Sequence, residues 1–199
     1  MSRIEKLKTE ILMPDPSGIE KAAIHLANDH LVAFPTETVF GLGANACSNT
    51  AVSKIFSVKN RPRLNPLIIH AATKEQAIRL VDFPVDLEKL IDACWPGPLT
   101  LVLPQRNDTI ISKLAVAGSR NVGIRVPANS VARDLIAKLG SPIAAPSANI
   151  SGRISPTRAE DVYGQLQGRI SSIIGGEQCA IGIESTILGF FRDELILLR

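Results

Sequence analysis

Short apolar runs alternate with amphipathic stretches along most of the chain. Apolar runs bounded by Pro, Gly or polar residues are typical of buried strands, whereas apolar residues at helical spacing are typical of helices with one buried face. The first helix is predicted to begin near Pro16, and Ile19, Ala22 and Leu26 fall on its apolar face. This alternation predicts an α/β fold in which helices flank a sheet.

The strand that follows the first helix is predicted at 31–34 and ends at Pro35. The next segment, 35–43, is predicted to be a loop in which Gly41 and Gly43 form a tight turn or bulge, because this Gly-x-Gly lacks the third glycine of a dinucleotide-binding motif. Further strands are predicted at 66–71, 99–103, 122–126, 143–145, 172–174, 186–188 and 195–198, and further helices at 50–58, 74–81, 85–94, 130–139 and 158–165.

Composition is that of an ordinary globular protein, with 199 residues, 45% hydrophobic and 21% charged. We therefore expect one domain over 1–199. The net charge of +3 favours anionic ligands only mildly. The three cysteines form no Cys-x-x-Cys, which argues against a disulfide framework or a thiolate metal site. With no apolar signal segment and no membrane-spanning run, we expect a soluble cytoplasmic protein without membrane contact.

Two short polar motifs carry the candidate chemistry. Lys59-Asn60-Arg61 follows a predicted helix, and Ser147-Ala148-Asn149 follows a buried apolar run. Lysine and arginine supply cationic donors, while serine and asparagine supply neutral donors and acceptors, which together suit a polyanionic nucleotide. Taken alone, Lys59 and Arg61 also fit a solvated helix end. The chain has no Gly-Lys-Ser/Thr of a P-loop, so ATP would have to be bound in another way.

His70 lies inside an apolar run, where a lone histidine is more often a core residue than a catalyst. The three histidines show no metal-ligand spacing, so no protein metal site is predicted. Trp95 begins a Trp-Pro-Gly-Pro segment that indicates a turn anchored by a packed indole.

Seven segments, taken in order, resemble one family. The resemblance is to the YrdC/TsaC family of L-threonylcarbamoyladenylate synthases, in its short single-domain form, and it extends over nearly the whole chain. The segments are 34–44 (FPTETVFGLGA), 59–62 (KNRP), 65–70 (NPLIIH), 95–100 (WPGPLT), 123–127 (GIRVP), 145–152 (APSANISG) and 182–186 (GIEST).

The resemblance implies a twisted, mainly mixed sheet flanked by helices around a large basic cavity. It also implies a nucleotidyltransferase that converts L-threonine, bicarbonate and ATP, with Mg²⁺, into threonylcarbamoyl-AMP and pyrophosphate. A separate transferase complex would then pass the threonylcarbamoyl group to tRNA, and weak direct binding of tRNA to this protein is left open. Such chemistry needs positioning and charge neutralisation rather than a covalent enzyme intermediate.

The resemblance also implies roles for individual residues. Arg125 is expected to pair its planar fork with the threonine carboxylate, a geometry that lysine does not reproduce. Phe40 and Asn121 depart from the family pattern, in which many relatives have tyrosine and threonine. The catalytic pair is Lys59 and Arg61; the ATP-binding set is Lys59, Arg61, Asn65, Ser147, Asn149, Ser155 and Arg199; the threonine-binding set is Thr38, His70, Arg125 and Ser185.

Two alternatives come from other functional classes. A non-catalytic RNA-binding module would use the same basic residues for phosphates, but the chain lacks the interleaved aromatic and basic residues that stack bases. A carbamoyl-adenylate-forming domain, as in hydrogenase maturation proteins, would accept carbamoyl phosphate in place of bicarbonate and threonine. Product analysis and substrate competition distinguish the three functions.

Overall fold

The computed structural model describes residues 7–199, and in that part of the chain one mixed sheet of ten strands forms the centre of the fold. Each strand is short, as expected from the short apolar runs in the sequence. The strands are β1 (Glu10–Leu12), β2 (Val32–Phe34), β3 (Gly41–Asn45), β4 (Ile68–His70), β5 (Leu99–Pro104), β6 (Asn121–Arg125), β7 (Ile143–Ala144), β8 (Ser172–Ile174), β9 (Thr186–Phe191) and β10 (Glu194–Leu197).

The strand order is β1-β8-β2-β3-β7-β4-β6-β5-β9-β10. Parallel pairs join β1 to β8, β2 to β8, β4 to β6 and β5 to β9, and the remaining neighbours are antiparallel. The predicted mixed sheet is thus confirmed. Because β4, β6 and β7 lie side by side in the middle of the sheet, the segments that follow them in sequence come close together although they are far apart along the chain.

The helices begin at side-chain caps that are visible in the sequence. Asp15 Oδ1 accepts a hydrogen bond of 2.8 Å from the backbone N–H of Gly18 at the start of the first helix, and Ser48 and Asn129 cap two later ones. No helix within residues 7–199 has the length and apolar character needed to cross a membrane. The helices are α1 (Pro16–Ala27), α2 (Asn49–Lys59), α3 (Lys74–Ile78), α4 (Glu88–Cys94), α5 (Ser130–Leu139) and α6 (Ala159–Leu166).

Alternate residues of β2 supply two separate hydrophobic clusters, as the two faces of a strand require. Val32 and Phe34 belong to the cluster formed with α1 and α5, whereas Ala33 belongs to the larger cluster that includes residues of α2, α3, α4 and α6. The same alternation is seen in β7, where Ile143 and Ala144 enter different clusters. The sheet is therefore covered by helices on both faces, as predicted.

Gly41 and Gly43 do not form the predicted turn or bulge, because both lie within strand β3. Their role is to leave space. A Cβ on Gly43 would lie 2.8 Å from Cε1 of Phe34, and one on Gly41 would lie 3.1 Å from its Cζ. The ring of Phe34 thus packs across the bare backbone of the neighbouring strand. The strand was missed because glycine normally weakens strands.

The other differences from the predicted elements are mostly at their ends. Strand β1 was not predicted, and the predicted helix 85–94 starts with a 3-10 turn at Val85–Leu87 before α4. The predicted helix 74–81 ends at Ile78, because Val81 instead forms a β-bridge with Gln105. The indole of Trp95 is buried and donates a 2.7 Å hydrogen bond to the carbonyl of Leu99, which confirms the predicted anchored turn.

Candidate functional site

A cavity of about 370 Å³ opens where segments after the central strands meet. Its walls come from the segment 36–41, the segment that follows α2, strands β4, β5 and β6, and the loop that follows β7. Lys59, Asn149 and Ser155 are not part of the lining. The predicted site residues that do line the cavity are Thr38, Arg61, Asn65, His70, Arg125, Ser147, Ser185 and Arg199.

The end of helix α2 directs two basic side chains, separated by one residue, to different places. Asn60 adopts the left-handed conformation, with φ of 53°, and the backbone N–H of Arg61 donates a 3.0 Å hydrogen bond to the carbonyl of Phe56. Asparagine tolerates this conformation, so the helix ends here and the chain turns away. As a result Lys59 points into the protein, whereas Arg61 lines the cavity.

The ammonium of Lys59 is buried against the loop 147–149. It donates to the backbone carbonyls of Ser147 and Asn149 and lies 3.3 Å from Oδ1 of Asn149, so its three N–H groups all have acceptors. The residue is only 2% exposed. Burial, and then the charge of Arg61, lowers the pKa of Lys59 to about 8.

This lowered pKa predicts how stability changes with pH. Unfolded lysine has a pKa of about 10.4, so between pH 8 and 10 the unfolded chain binds more protons at Lys59 than the folded one does, and stability rises with pH in that window. From pH 7.5 to 9.5 we expect the wild type to gain about 2 kcal/mol of unfolding free energy relative to Lys59→Met. Urea unfolding of both proteins at the two pH values measures this difference, and a difference that stays constant would show the prediction wrong.

Asn149 is also used inside the loop rather than at the cavity surface. Its Nδ2 donates to the carbonyls of Arg153, at 2.6 Å, and Ile150, at 3.1 Å, while Oδ1 accepts from the hydroxyl of Ser147. Asn149 is 5% exposed. Lys59 and Asn149 together fix the loop whose Ser147 lines the cavity, and direct contact of either residue with a nucleotide stays a prediction.

Arg61 is held by the turn that follows it. Its Nε donates to the carbonyl of Asn65 at 3.2 Å, and its Nη2 donates to that of Pro66 at 3.1 Å. Partial burial lowers the pKa of Arg61 from its ordinary value, although a guanidinium remains charged. Arg63, two residues further on, is exposed and does not line the cavity.

Another part of the cavity wall carries Arg125, at the end of β6. Its Nε donates a 3.2 Å hydrogen bond to the carbonyl of Gly97, and its Nη2 lies 2.7 Å from Oε1 of Glu37. The guanidinium is thus anchored along one edge by two contacts with the protein. Glu37 was not among the predicted site residues, although it lies beside Thr38 in the same segment.

His70 is buried beside Arg125. Its Nδ1 lies 3.3 Å from the carbonyl of Ile68, and the ring meets that of Phe34 edge-on, with centroids 6.0 Å apart. Burial, and then the nearby charge of Arg125, lowers the pKa of His70 to about 3. The imidazole is therefore neutral, and because the carbonyl can only accept, Nδ1 carries the proton and Nε2 is an acceptor. His70 combines the core position expected from its apolar run with a place in the cavity wall.

A chain of hydroxyls orients Thr38. The hydroxyl of Thr36 donates to the carbonyl of Val39 at 2.7 Å, so at 2.8 Å it must accept from the hydroxyl of Thr38. Thr36 is buried and its partners are local, but the sequence shows no pattern that separates this arrangement from an ordinary turn.

Ser185 joins two other residues of the lining. Its hydroxyl lies 2.8 Å from that of Thr100, and Nη2 of Arg199 donates to it at 3.2 Å while Nε donates to its carbonyl at 3.1 Å. The backbone of Arg199 is paired with that of Ile187. Arg199 is therefore held at the cavity. Thr100 was not predicted, because its role depends on the pairing of β5 with β9.

Glu184 is the remaining charged residue of the lining, and it also was not predicted. The hydroxyl of Ser155 donates to its Oε1, and this hydrogen bond is the largest of the contributions that lower the pKa of Glu184, with the charge of Arg199 the smallest. Ser155 therefore reaches the cavity only through Glu184. Among residues 7–199, the charged side chains of the lining are three arginines and one glutamate, a balance that favours anionic ligands.

The family model named Sua5/YciO/YrdC, described as telomere recombination, matches residues 25–199. The chain belongs to the Sua5/YciO/YrdC family. All the lining residues fall within the part of the chain that matches this family.

Relatives within the family include threonylcarbamoyl-AMP synthases of two lengths. The Bacillus subtilis protein is 47% identical over 192 residues, which are 96% of this chain and 55% of that relative. The Vibrio vulnificus protein is 33% identical over 164 residues, which are 81% of this chain and 87% of that relative. The chain thus spans about half the length of the curated relatives it matches at high identity.

Among solved structures, Pyrococcus abyssi Sua5 in complex with L-threonine superposes on this chain with a TM-score of 0.92 at 44% identity. The superposition covers 96% of this chain and 57% of the P. abyssi chain. The fold expected from the family resemblance is therefore confirmed.

Proposed function

We propose that this protein makes threonylcarbamoyl-AMP from L-threonine, bicarbonate and ATP and releases pyrophosphate. One observation carries the proposal: residues of the predicted ATP-binding set and of the predicted threonine-binding set line the same cavity. These are Arg61 and Ser147 of the first set, and Thr38, His70, Arg125 and Ser185 of the second. Support also comes from relatives of both lengths, which are named threonylcarbamoyl-AMP synthases, and from the threonine complex of P. abyssi Sua5.

The nucleotide half of the reaction requires neutralisation of phosphate charge. Bicarbonate and the threonine amine give a carbamate with loss of water, and an oxygen of the carbamate attacks the α-phosphorus of ATP while pyrophosphate leaves. Arg61 and Arg199 would bind the phosphates with guanidinium nitrogens that are already oriented by backbone carbonyls. Lys59 would act with Arg61 by fixing the loop that presents Ser147, and Asn65, Asn149 and Ser155 complete the proposed ATP set.

The amino-acid half requires groups that recognise a carboxylate, an amine and a hydroxyl. Arg125 would pair with the carboxylate, because one edge of its guanidinium is held by the Gly97 carbonyl and the other edge is open to a ligand. Thr38, neutral His70 and Ser185 would supply polar contacts to the remaining groups, with Nε2 of His70 as an acceptor. A partly enclosed cavity would also protect the carbamate and the adenylate from water.

Mg²⁺ would enter with ATP. Within residues 7–199 no cluster of His, Cys, Asp and Glu side chains is arranged to hold a metal ion, so the donors that fit Mg²⁺ here are phosphate oxygens and water. The ion would neutralise phosphate charge. We further propose that the protein acts in the cytoplasm, that it supplies a tRNA threonylcarbamoyl transferase complex, and that any direct contact with tRNA is weak.

Mass spectrometry of reaction products tests the proposal. Purified protein with ATP, Mg²⁺, L-threonine and bicarbonate should give threonylcarbamoyl-AMP, and omission of threonine or bicarbonate should abolish the product. Carbamoyl-AMP formed from carbamoyl phosphate would instead indicate the carbamoyl-adenylate alternative. Tight RNA binding without release of pyrophosphate would contradict an enzymatic function.

Replacement of Arg125 by lysine should weaken threonine binding more than ATP binding. A single ammonium cannot occupy the places of the three guanidinium nitrogens, which contact the Gly97 carbonyl, face Glu37 and remain available to a carboxylate. We expect a loss of about 10-fold in threonine affinity and less than about 2-fold in ATP affinity, measured by calorimetry.

Arg133→Lys is the matched control, because Arg133 also donates to backbone carbonyls, of Pro127 and Ala128, but does not line the cavity. Equal losses of both ligands in Arg125→Lys would reject the assignment of Arg125 to threonine.

A further inference from the structure

Glu37 forms an ion pair with Arg125 that is nearly enclosed by protein. The two side chains are 11% and 4% exposed, and Nη2 of Arg125 lies 2.7 Å from Oε1 of Glu37. The N–H bonds of Nη2 do not point at this oxygen, so the contact is an ion pair without hydrogen-bond geometry. Within residues 7–199 neither carboxylate oxygen of Glu37 accepts a hydrogen bond. Burial of a carboxylate without hydrogen bonds destabilises the folded protein unless a nearby cation compensates for the lost hydration.

The position of Glu37 is fixed by its backbone. Its carbonyl accepts a 2.9 Å hydrogen bond from the N–H of Ile181, and the next carbonyl, of Thr38, accepts one of 3.0 Å from Gly182. The segment that carries Glu37 is therefore tied to the loop before Ser185. A carboxylate on such a segment can hold a mobile side chain in one orientation.

Arg125 has one terminal nitrogen left for a ligand. Nε is bonded to the carbonyl of Gly97 and Nη2 faces Glu37, whereas Nη1 makes no hydrogen bond within the described part of the chain and, unlike Nη2, is not enclosed. Arg125 lines the cavity, so the open side of the guanidinium is the side available to an anion. Two anchors on one side of a planar group also fix its plane.

We propose that Glu37 is a positioning residue for substrate carboxylate recognition and acts through Arg125. The ion pair and the Gly97 carbonyl together would hold the guanidinium so that Nη1 faces the carboxylate of the amino acid. This inference rests on the proposed function and adds a residue to it. Because the carboxylate of Glu37 is enclosed behind Arg125, Glu37 itself would not touch the substrate.

The test is threonine binding to Glu37→Gln, which keeps the length of the side chain and removes its charge. We expect threonine affinity to fall about 10-fold and ATP affinity to change less than about 2-fold, since only the orientation of Arg125 is disturbed. In the Arg125→Lys background the same substitution should have almost no further effect on threonine. Glu20→Gln is the matched control, because Glu20 pairs with Lys138 at 2.8 Å in an exposed position.

Several results would overturn the proposal. Unchanged threonine affinity, equal losses of threonine and ATP, or additive effects of the two substitutions would show that Glu37 does not act through Arg125. Tighter threonine binding would show that Glu37 instead competes with the substrate carboxylate. If Glu37→Gln does not fold, Glu37→Asp repeats the test with the charge retained, and loss of the folded state in both variants would assign Glu37 to stability alone.

These measurements are distinguishable from the test of the proposed function. They use direct binding of L-threonine and ATP, so they do not require product formation. Wild-type protein that binds threonine but yields no threonylcarbamoyl-AMP would contradict the proposed reaction and leave the role of Glu37 open to the same binding assay. Normal product formation with unaltered threonine binding in Glu37→Gln would contradict only the role of Glu37.

Discussion

Lys59→Met is expected to lower the rate of threonylcarbamoyl-AMP formation by about 100-fold or more. Removal of one preorganised polar group from an active site typically lowers the catalytic rate by about this factor. Methionine retains the length of the side chain but not the ammonium. The carbonyls of Ser147 and Asn149 would lose their common donor, and the loop that presents Ser147 would no longer be fixed. Release of pyrophosphate, followed in a coupled assay, measures the rate.

Lys54→Met is the matched control for this substitution. Lys54 lies on the same helix and its ammonium also donates to a backbone carbonyl, that of Asp29 at 2.7 Å, but it is not part of the cavity lining. We expect its activity to stay within about 2-fold of the wild type. Near-normal turnover in a folded Lys59→Met protein would remove Lys59 from the catalytic pair.

Arg61→Ala is expected to have an effect of similar size, also about 100-fold or more, but for a different reason. Arg61 lines the cavity, and carbonyls of Asn65 and Pro66 orient its guanidinium before any ligand arrives. Alanine would remove a charge aimed at the phosphates, so the ATP concentration needed for half-maximal rate should also rise. Steady-state kinetics at varied ATP separates these two effects.

Arg63→Ala provides the comparison for Arg61→Ala. The two arginines lie two residues apart, but Arg63 is exposed and outside the lining. If loss of general positive charge near the opening were responsible, both variants would lose activity to a similar degree. A selective loss in Arg61→Ala supports a specific contact, and equal losses would contradict it.

The sequence was sufficient to predict the layered α/β fold and eight of the residues that line the cavity. The ordered motifs made this possible through the family resemblance that they carry, and Lys59-x-Arg61 and Ser147-x-Asn149 lie at or just after the ends of α2 and β7. The different roles within each motif could not be predicted. The ammonium of Lys59 donates to backbone carbonyls. Because every residue has a carbonyl, the residue types in a sequence do not reveal such partners.

Residues with distant partners were the ones missed. Thr100 became part of the site through its contact with Ser185, and Glu37 through its contact with Arg125. Neither stands in a spacing that indicates a partner far along the chain. Strand β3 was missed for a related reason. Its glycines are needed because the ring of Phe34 packs against them, and the sequence does not show this contact.

The two glycines of β3 have a consequence for the part of the cavity wall that contains His70. The Phe34 ring fills the space they leave. The same ring also contacts the imidazole of His70 in an edge-on arrangement. A methyl group at position 43 would lie 2.8 Å from Cε1 of Phe34, too close for the buried ring to keep its place, and the edge-on contact of that ring with the imidazole would change. The orientation of a polar group at the cavity is thus set by the absence of two side chains on a neighbouring strand.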